Sequence, residues 1–431
     1  VTPEILAILI VFTLVVVVNG FNEKLNAGIL AIAGALLVGL TIGGMRATQV
    51  LNGFPTDLFV ILLGVTLFFS MLNANGTMQG LAQRAVALTG GRVTMIPLYL
   101  FLMAAVISSI GAGNIGTIAM LAPPALMIAA EIRLSPFLMS LVLVGGANGA
   151  TFSPVALTGI IANTIVERLG MTSVDLDAVK WQSYFFSLLA HAVVSWVGFL
   201  LLGGLRWIRE ARIHSAGVDR PIAAFTFPQR WSLVFLAAYI GLVVIPTLPG
   251  LSEFNVLARL NVGAVAFVLA SALMVLRLAD FESSLRYMPW GSIILVCGVM
   301  VLMEYFNRQG GTEWVTANLR DQGGASGIHF WIALSAAAVS AFSSSSGVVL
   351  PTFLPMVPSL VQHVASLDPA ALIVNINVSS HLVDCSPLST LGAICVASAT
   401  AENRTALFRQ LLAWGLAMIP VSAAIAWAVF G

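Results

Sequence analysis

The chain has very little charge. Of its 431 residues only 9% are Asp, Glu, Lys or Arg, while 59% are hydrophobic. Soluble globular proteins carry about 25% charged residues, so these ionised groups are too few to cover a water-facing surface. The alternative solvent is lipid. There each crossing takes roughly 20 apolar residues and satisfies its backbone internally, as a helix. The long unbroken apolar runs exclude a transmembrane β-barrel, which lacks them. Cysteine is equally sparse. Cys297, Cys385 and Cys395 are odd in number and lie in apolar segments without paired ligand spacing, so neither a disulfide framework nor a zinc site is inferred. A net charge of +1 gives nothing that favours nucleic acid. No nucleotide loop, HExxH or catalytic triad is found. Gly111-Ala112-Gly113-Asn114-Ile115-Gly116 has the letters of GxGxxG, but the dinucleotide fingerprint needs a strand before it inside a βαβ unit. Here apolar helix flanks it, and the glycines are read as a tight hairpin tip. Residues 1–19 are apolar with no basic leader or small-residue cleavage site, and are read as a first span rather than a signal peptide.

Apolar runs set against polar breaks predict ten spans, at about 3–20, 27–44, 56–73, 136–166 and 181–205, then 231–247, 260–277, 289–306, 369–400 and 407–430. Two further stretches, about 94–130 and 329–362, are interrupted midway by Gly111-Ala112-Gly113-Asn114 and by Ser343-Ser344-Ser345-Ser346. Each arm has about 15 residues, or roughly 22 Å of helix, short of the roughly 30 Å hydrocarbon core. Both are read as re-entrant hairpins. Positions repeat at a nearly constant offset. Ser108 and Pro123 recur as Ser340 and Pro355, Pro55 recurs as Pro289, and Pro136, Ser153, Pro154 and Gly159 recur as Pro369, Ser386, Pro387 and Gly392. Five crossings per copy is an odd number, so the second copy must be inverted. The expected fold is an all-α polytopic membrane protein of two inverted five-span repeats, each with a re-entrant hairpin and a broken helix. The repeats are 1–205 and 231–431, joined by a cytoplasmic linker at 206–230. Placing the positive charges on this scheme puts Lys24, Arg84, Arg92, Arg133, Arg206, Arg209, Arg212, Arg220, Arg230, Arg277, Arg286, Arg404 and Arg409 on one side. Arg46, Arg168, Lys180, Arg259, Arg308 and Arg320 fall on the other. The richer side is expected to be cytoplasmic. Both termini then lie outside, the first hairpin enters from the cytoplasm, and the linker arginines anchor the topology.

Chemistry is expected where two long spans are interrupted, at Gly145 to Pro154 and at Ser379 to Thr390. Glycine and proline unwind a helix there, and irregular backbone at membrane depth must face protein or a water-filled cavity. The broken ends offer helix N-termini for an anion and bare carbonyls for sodium. No Lys or Arg lies in the two hairpins or the two breaks, so an anion would be held by helix ends and Ser, Thr and Asn groups, with bound cations supplying positive charge. Small and hydroxyl residues also simply allow close helix packing, and Gly39 and Gly43 are assigned to that role. Asp384 is the sharpest single signal, because an ionisable group at mid-membrane costs on the order of 3 kcal/mol. Its repeat mate is Thr151, so the fold does not require the charge. It could ligate a cation, carry a coupling proton or cap the broken helix. His381 could be a relay or a structural bond. His191 and Glu304 are placed on packing faces or membrane edges and given no role.

The order of spans, hairpin and broken helix followed by an inverted copy resembles the ion-transporter superfamily, which includes the divalent anion/sodium symporters. The details look closest to MatC-type malonate and dicarboxylate carriers. The likeness is carried by Asn52-Gly53-Phe54-Pro55-Thr56-Asp57-Leu58-Phe59, the run Gly145 to Pro154, and Val383-Asp384-Cys385-Ser386-Pro387-Leu388-Ser389-Thr390. The resemblance implies one cation site from Ser109, Gly113 and Asn114 with the backbone near Thr151. A second would use Ser340, Ser343 and Ser345 with the backbone near Asp384. It implies substrate contacts from Asn114, Ser153, Ser345, Ser346 and Ser386, and an elevator-like homodimer in the inner (plasma) membrane. Where the family typically has Ser-Asn-Thr at each tip, this chain has Gly113-Asn114-Ile115 and Ser345-Ser346-Gly347. The expected activity is sodium- or proton-coupled uptake of a small dicarboxylate, without an enzymatic cofactor. A cation/proton antiporter or a metalloid or inorganic-anion exporter is the alternative within the same fold. A channel would carry uncoupled flux, which two closed hairpins oppose. An enzyme would need a nucleophile–base pair, and only His381 and Asp384 come close.

Overall fold

A computed structural model describes residues 2–21, 25–87, 93–211, 224–244, 262–311, 314, 317, 324–364 and 366–430. Lys24, Arg92, Arg212, Arg220, Arg259 and Arg320 of the charge scheme, and residues 212–223 of the 206–230 linker, lie outside these residues. Within them the regular structure is all helix. The first half holds α1 (Pro3–Phe21), α2 (Ala27–Thr41), α3 (Ala47–Leu51), α4 (Thr56–Ala74), α5 (Thr77–Ala87), α6 (Ile96–Ile107), α7 (Gly113–Glu131), α8 (Pro136–Gly149), α9 (Leu157–Arg168) and α10 (Leu176–Phe199). Then come α11 (Leu205–Ala211), α12 (Phe227–Val244), α13 (Val262–Val275), α14 (Phe281–Tyr287) and α15 (Trp290–Arg308). The last six are α16 (Gly324–Ser340), α17 (Leu350–Phe353), α18 (Val357–His363), α19 (Pro369–His381), α20 (Thr390–Ser398) and α21 (Ala401–Phe430).

Local chemistry sets the helix starts. Asn26, Asp175, Asp280 and Asp368 each accept backbone N–H groups at an N-cap. Pro136 and Pro369 stand in first turns that need no internal donor. Residues 137–149 of α8 are all buried, as are 372–381 of α19. A helix apolar on every side belongs inside a bundle. The outer helices do the reverse. On α10, Phe185, Leu189, Val193 and Val197 are exposed at four-residue spacing, with Leu201 just beyond them. Such an apolar stripe is stable only against lipid. Among the described residues, five helical stretches are long and apolar enough to cross a membrane by length and composition. One of these, Val93–Glu131, is continuous only by hydrogen bonding, because Gly111 within it has φ 119°. Both its arms pack on α8, so it is a hairpin.

Two expected spans end earlier than predicted, α2 at Thr41 rather than about 44 and α13 at Val275 rather than about 277. α2 has 15 residues and α13 has 14, roughly 21–23 Å of helix at 1.5 Å per residue. The expected spans 136–166 and 369–400 are each two helices with an irregular stretch between. The element bounds repeat as the sequence does. α4 and α15 match at both ends with an offset of 234, while α8 and α9 begin 233 residues before α19 and α20. Packing is exchanged between the halves. α2 packs on α15 and α13 on α4, while α9 packs on the second hairpin and α20 on α7. The hairpins, broken helices, α10 and α21 gather into one body, with α1–α4 and α13–α15 beside it.

Candidate functional site

The first hairpin turns at Ser108–Ala112. Gly111 (φ 119°) and Gly113 (φ 65°) occupy conformations that L side chains rarely adopt, and a Cβ on Gly111 would run into the Phe69 ring. The second turns at Phe342–Ser344, where the Ser344 hydroxyl accepts the Gly347 N–H at 3.1 Å. Each tip is tied to its own broken helix by the same bond. Ser153 Oγ donates to the Ser109 carbonyl at 2.6 Å, and Ser386 Oγ donates to the Ala341 carbonyl at 2.8 Å. Gly159 and Gly392 stand against the carbonyls of Ser153 and Ser386, where a Cβ would collide. These paired contacts repeat at offsets of 232 and 233.

The halves differ at their centre. Asp384 is 3% exposed, and its carboxylate is surrounded by neutral donors. Oδ1 accepts from Ser340 Oγ at 3.1 Å, from Ser389 Oγ at 3.3 Å and from Ser345 Oγ. Oδ2 accepts from Asn148 Nδ2 at 3.1 Å. Three of these groups crowd Oδ1, with the Ser340 and Ser345 hydroxyls also 2.6 Å from each other, while Oδ2 keeps a lone pair free; none of the four carries positive charge. Asn148 links the halves. Its Nδ2 also donates to the His381 carbonyl at 2.6 Å, and its Oδ1 accepts from Asn114 Nδ2 at 2.6 Å. In the first half the mates of Ser340 and Asp384 are Ser108 and Thr151, and both hydroxyls are buried without a hydrogen-bond partner.

Two cavities meet here. A pocket of about 10 Å³ is lined by Asn114, Ile115, Ser344, Ser345, Ser346, Asp384, Ser389, Thr390 and Leu391. It has room for about one ion or water. It shares Asn114 and Ile115 with a cavity of about 580 Å³ walled by α4, the first hairpin tip and residues 286–292. That volume suits a small organic ligand.

The structure therefore brings together Asn114, Ser340, Ser345, Ser346 and Asp384. Ser343 is directed elsewhere, its hydroxyl donating to the Val339 carbonyl at 2.7 Å. Ser109 Oγ pairs with the Tyr184 hydroxyl at 2.9 Å, Gly113 lines the larger cavity, and the Thr151 carbonyl accepts the Gly159 N–H at 3.1 Å. Ser153 and Ser386 commit their protons to the hairpin carbonyls and brace the tips. Asn148, Ser389 and Arg286 were not singled out by sequence reasoning. Asn148 carried no distinguishing signal, being an uncharged amide among glycines and alanines. His191 is not at an edge. It is buried 3.5 Å from Asn148 Nδ2, with Nδ1 2.8 Å from the Ser187 carbonyl, because the small residues Gly145 and Gly149 let α10 approach α8 closely. Glu304 pairs with Arg308 at 2.9 Å near the surface. Gly39 and Gly43 pack against Val50 and the Tyr305 hydroxyl.

Buried helix breaks, paired hairpins and an apolar exterior define a multi-pass helical membrane protein. Among solved structures, the Alcanivorax borkumensis YdaH transporter matches 88% of this chain and 87% of its own, with a TM-score of 0.51 and 16% identity. That likeness speaks to fold alone. Residues 1–151 match the family model described as the dicarboxylate carrier protein MatC N-terminus. The matched stretch contains Asn52–Phe59, both arms of the first hairpin and Asn148; Asp384 lies beyond it. No curated protein matches the chain.

Proposed function

We propose that the chain is a secondary active transporter coupling sodium, or a proton, to uptake of a small dicarboxylate such as malonate or a C4-dicarboxylate. The reading rests on one observation above all. Asp384 is a buried carboxylate met only by neutral donors, with a lone pair of Oδ2 unused, bordering an ion-sized pocket whose lining carries no positive side chain. An uncompensated charge at that depth is costly, and a small cation or proton at Asp384 removes the cost. The neutralised site is then open to an anion at the adjoining tips. Asn114, Ser345 and Ser346 are its proposed contacts, with Ser153 and Ser386 holding those tips in place. Ser340, Ser345 and Asp384 are the proposed cation ligands of the second half. For the first-half site, the unpartnered hydroxyls of Ser108 and Thr151 offer free lone pairs near the backbone of Ser109, Gly113 and Asn114.

The dicarboxylate is supported by the match of residues 1–151 to the dicarboxylate carrier family model. A cation/proton antiporter would use the same carboxylate but gives the 580 Å³ cavity no purpose. Two inverted repeats are consistent with the repeated bounds and exchanged packing. An elevator motion would carry the hairpin body past α4 and α15. A homodimer in the plasma membrane, with both termini outside, completes the reading. A thermal-shift screen of mono- and dicarboxylates with and without sodium tests it. Stabilisation by a dicarboxylate that grows with sodium or with falling pH is expected. No shift with any carboxylate under any condition would remove the anion reading.

A further inference from the structure

The larger cavity is lined by groups of different character. One is Asn114, which also lines the small pocket that holds the Asp384 carboxylate. Another is Arg286 on α14, the one ionised side chain among the described lining residues. Most of the remaining wall is apolar, from Val65, Phe69, Ile115 and Met120, and the amides of Asn73 and Gln79 add polar groups, bonded to each other at 2.6 Å.

Arg286 is exposed and makes no ion pair or hydrogen bond with any described residue. Its acidic neighbour Asp280 caps α14 by accepting the Ser283 N–H at 2.7 Å. Hydrogen bonds from Ser283, with a smaller contribution from the nearby Arg286 charge, hold the Asp280 carboxyl below the usual carboxylate range. The repeat does not call for a cation here. The mate of Arg286, at the 234 offset that relates α4 to α15, is Asn52. A charge that only oriented the helices would have no reason to line the cavity.

We infer that Arg286 is a selectivity determinant, receiving the second acidic group of a dianion whose first group sits at the Asn114 tip. The inference rests on the dicarboxylate reading above. A cation bound at Asp384 only neutralises that carboxylate. It leaves the far group of a dianion in an apolar-walled cavity, where a guanidinium provides both charge and a forked pair of donors. A monoanion leaves Arg286 unused.

The test measures binding of malonate and of its monomethyl ester, which keeps one carboxylate, to the purified full chain in sodium. Wild type, Arg286→Gln, Arg286→Lys and Arg209→Gln are compared. Arg209→Gln removes an exposed positive charge that lines neither cavity. Arg286→Gln is expected to weaken malonate binding about tenfold, a loss typical of one charge-assisted hydrogen bond. Binding of the monoester should not change, so the preference for the dianion collapses. Arg286→Lys should keep part of that preference, and Arg209→Gln should behave as wild type. If Arg286→Gln binds malonate like wild type, or loses malonate and monoester equally, the inference is overturned while the dicarboxylate reading stands. If wild type binds neither malonate nor a C4-dicarboxylate, measured in the same way in sodium and at lowered pH, the dicarboxylate reading fails and this inference goes with it.

Discussion

Asp384 and Asn148 carry the charge logic of the site between them. Replacing Asp384 with Asn keeps the shape and most of the hydrogen-bonding capacity but removes the charge. The variant should fold with a melting temperature near that of the wild type, while cation-driven uptake falls about tenfold or more, the scale of one lost charged contact. Normal cation-driven uptake by a folded Asp384→Asn protein would remove this residue from the mechanism. Asn148→Ala should do something different. It strips one donor from Asp384, one from the His381 carbonyl and the acceptor from Asn114. Orphaned buried groups cost about 1–3 kcal/mol each, so a lowered melting temperature is expected. The concentration of sodium or protons needed for half-maximal uptake should also rise. Asp384 was legible in the sequence because a lone acid in an apolar run has few uses. Asn148 was not, since an uncharged amide beside glycines reads equally well as packing. Its role depends on three partners at positions 114, 381 and 384 that only the folded chain brings together.

The hairpins and broken helices are the elements that position the site, and a single hydroxyl ties each pair. Ser153→Ala and Ser386→Ala each remove one hydrogen bond from tip to break. Each should cost about 1 kcal/mol of stability, measured as comparable falls in melting temperature, with a larger loss of uptake than of stability. A loss confined to one of the two would argue that the tips are not equivalent. The sequence supplied these elements well. Short arms, Gly111 and Gly113 at one tip and a serine run at the other marked the turns, and the proline offsets paired the breaks. It placed the lengths less well. α2 stops three residues and α13 two residues before the predicted ends, because hydropathy continues past the point where the chain turns.

For the molecule as a whole, the elevator reading makes the contact between the two bodies a moving one. Gly347 on the second hairpin lies against Leu295 of α15, with a built Cβ 2.8 Å from Leu295 Cγ. A cysteine at each position brings the two Cβ atoms close to the range that a disulfide requires. In a background lacking Cys297, Cys385 and Cys395, oxidising the Leu295→Cys/Gly347→Cys pair should arrest uptake, and reduction should restore it. Undiminished uptake by the oxidised, cross-linked protein would mean that this hairpin does not travel past α15. The membrane setting was legible from composition alone. The meeting of the two halves through Asn148 was not, because it depends on how the repeats cross rather than on either repeat's pattern. The central claim is that a buried, uncompensated carboxylate couples a cation to a dicarboxylate at the junction of the hairpin tips. The most direct measurement is uptake of labelled malonate and C4-dicarboxylates into proteoliposomes under an imposed sodium or proton gradient. Accumulation above equilibrium that vanishes when an ionophore collapses the gradient is the expected result. Failure of any of these dicarboxylates to accumulate under either gradient, by protein shown to be folded and inserted, would contradict the account.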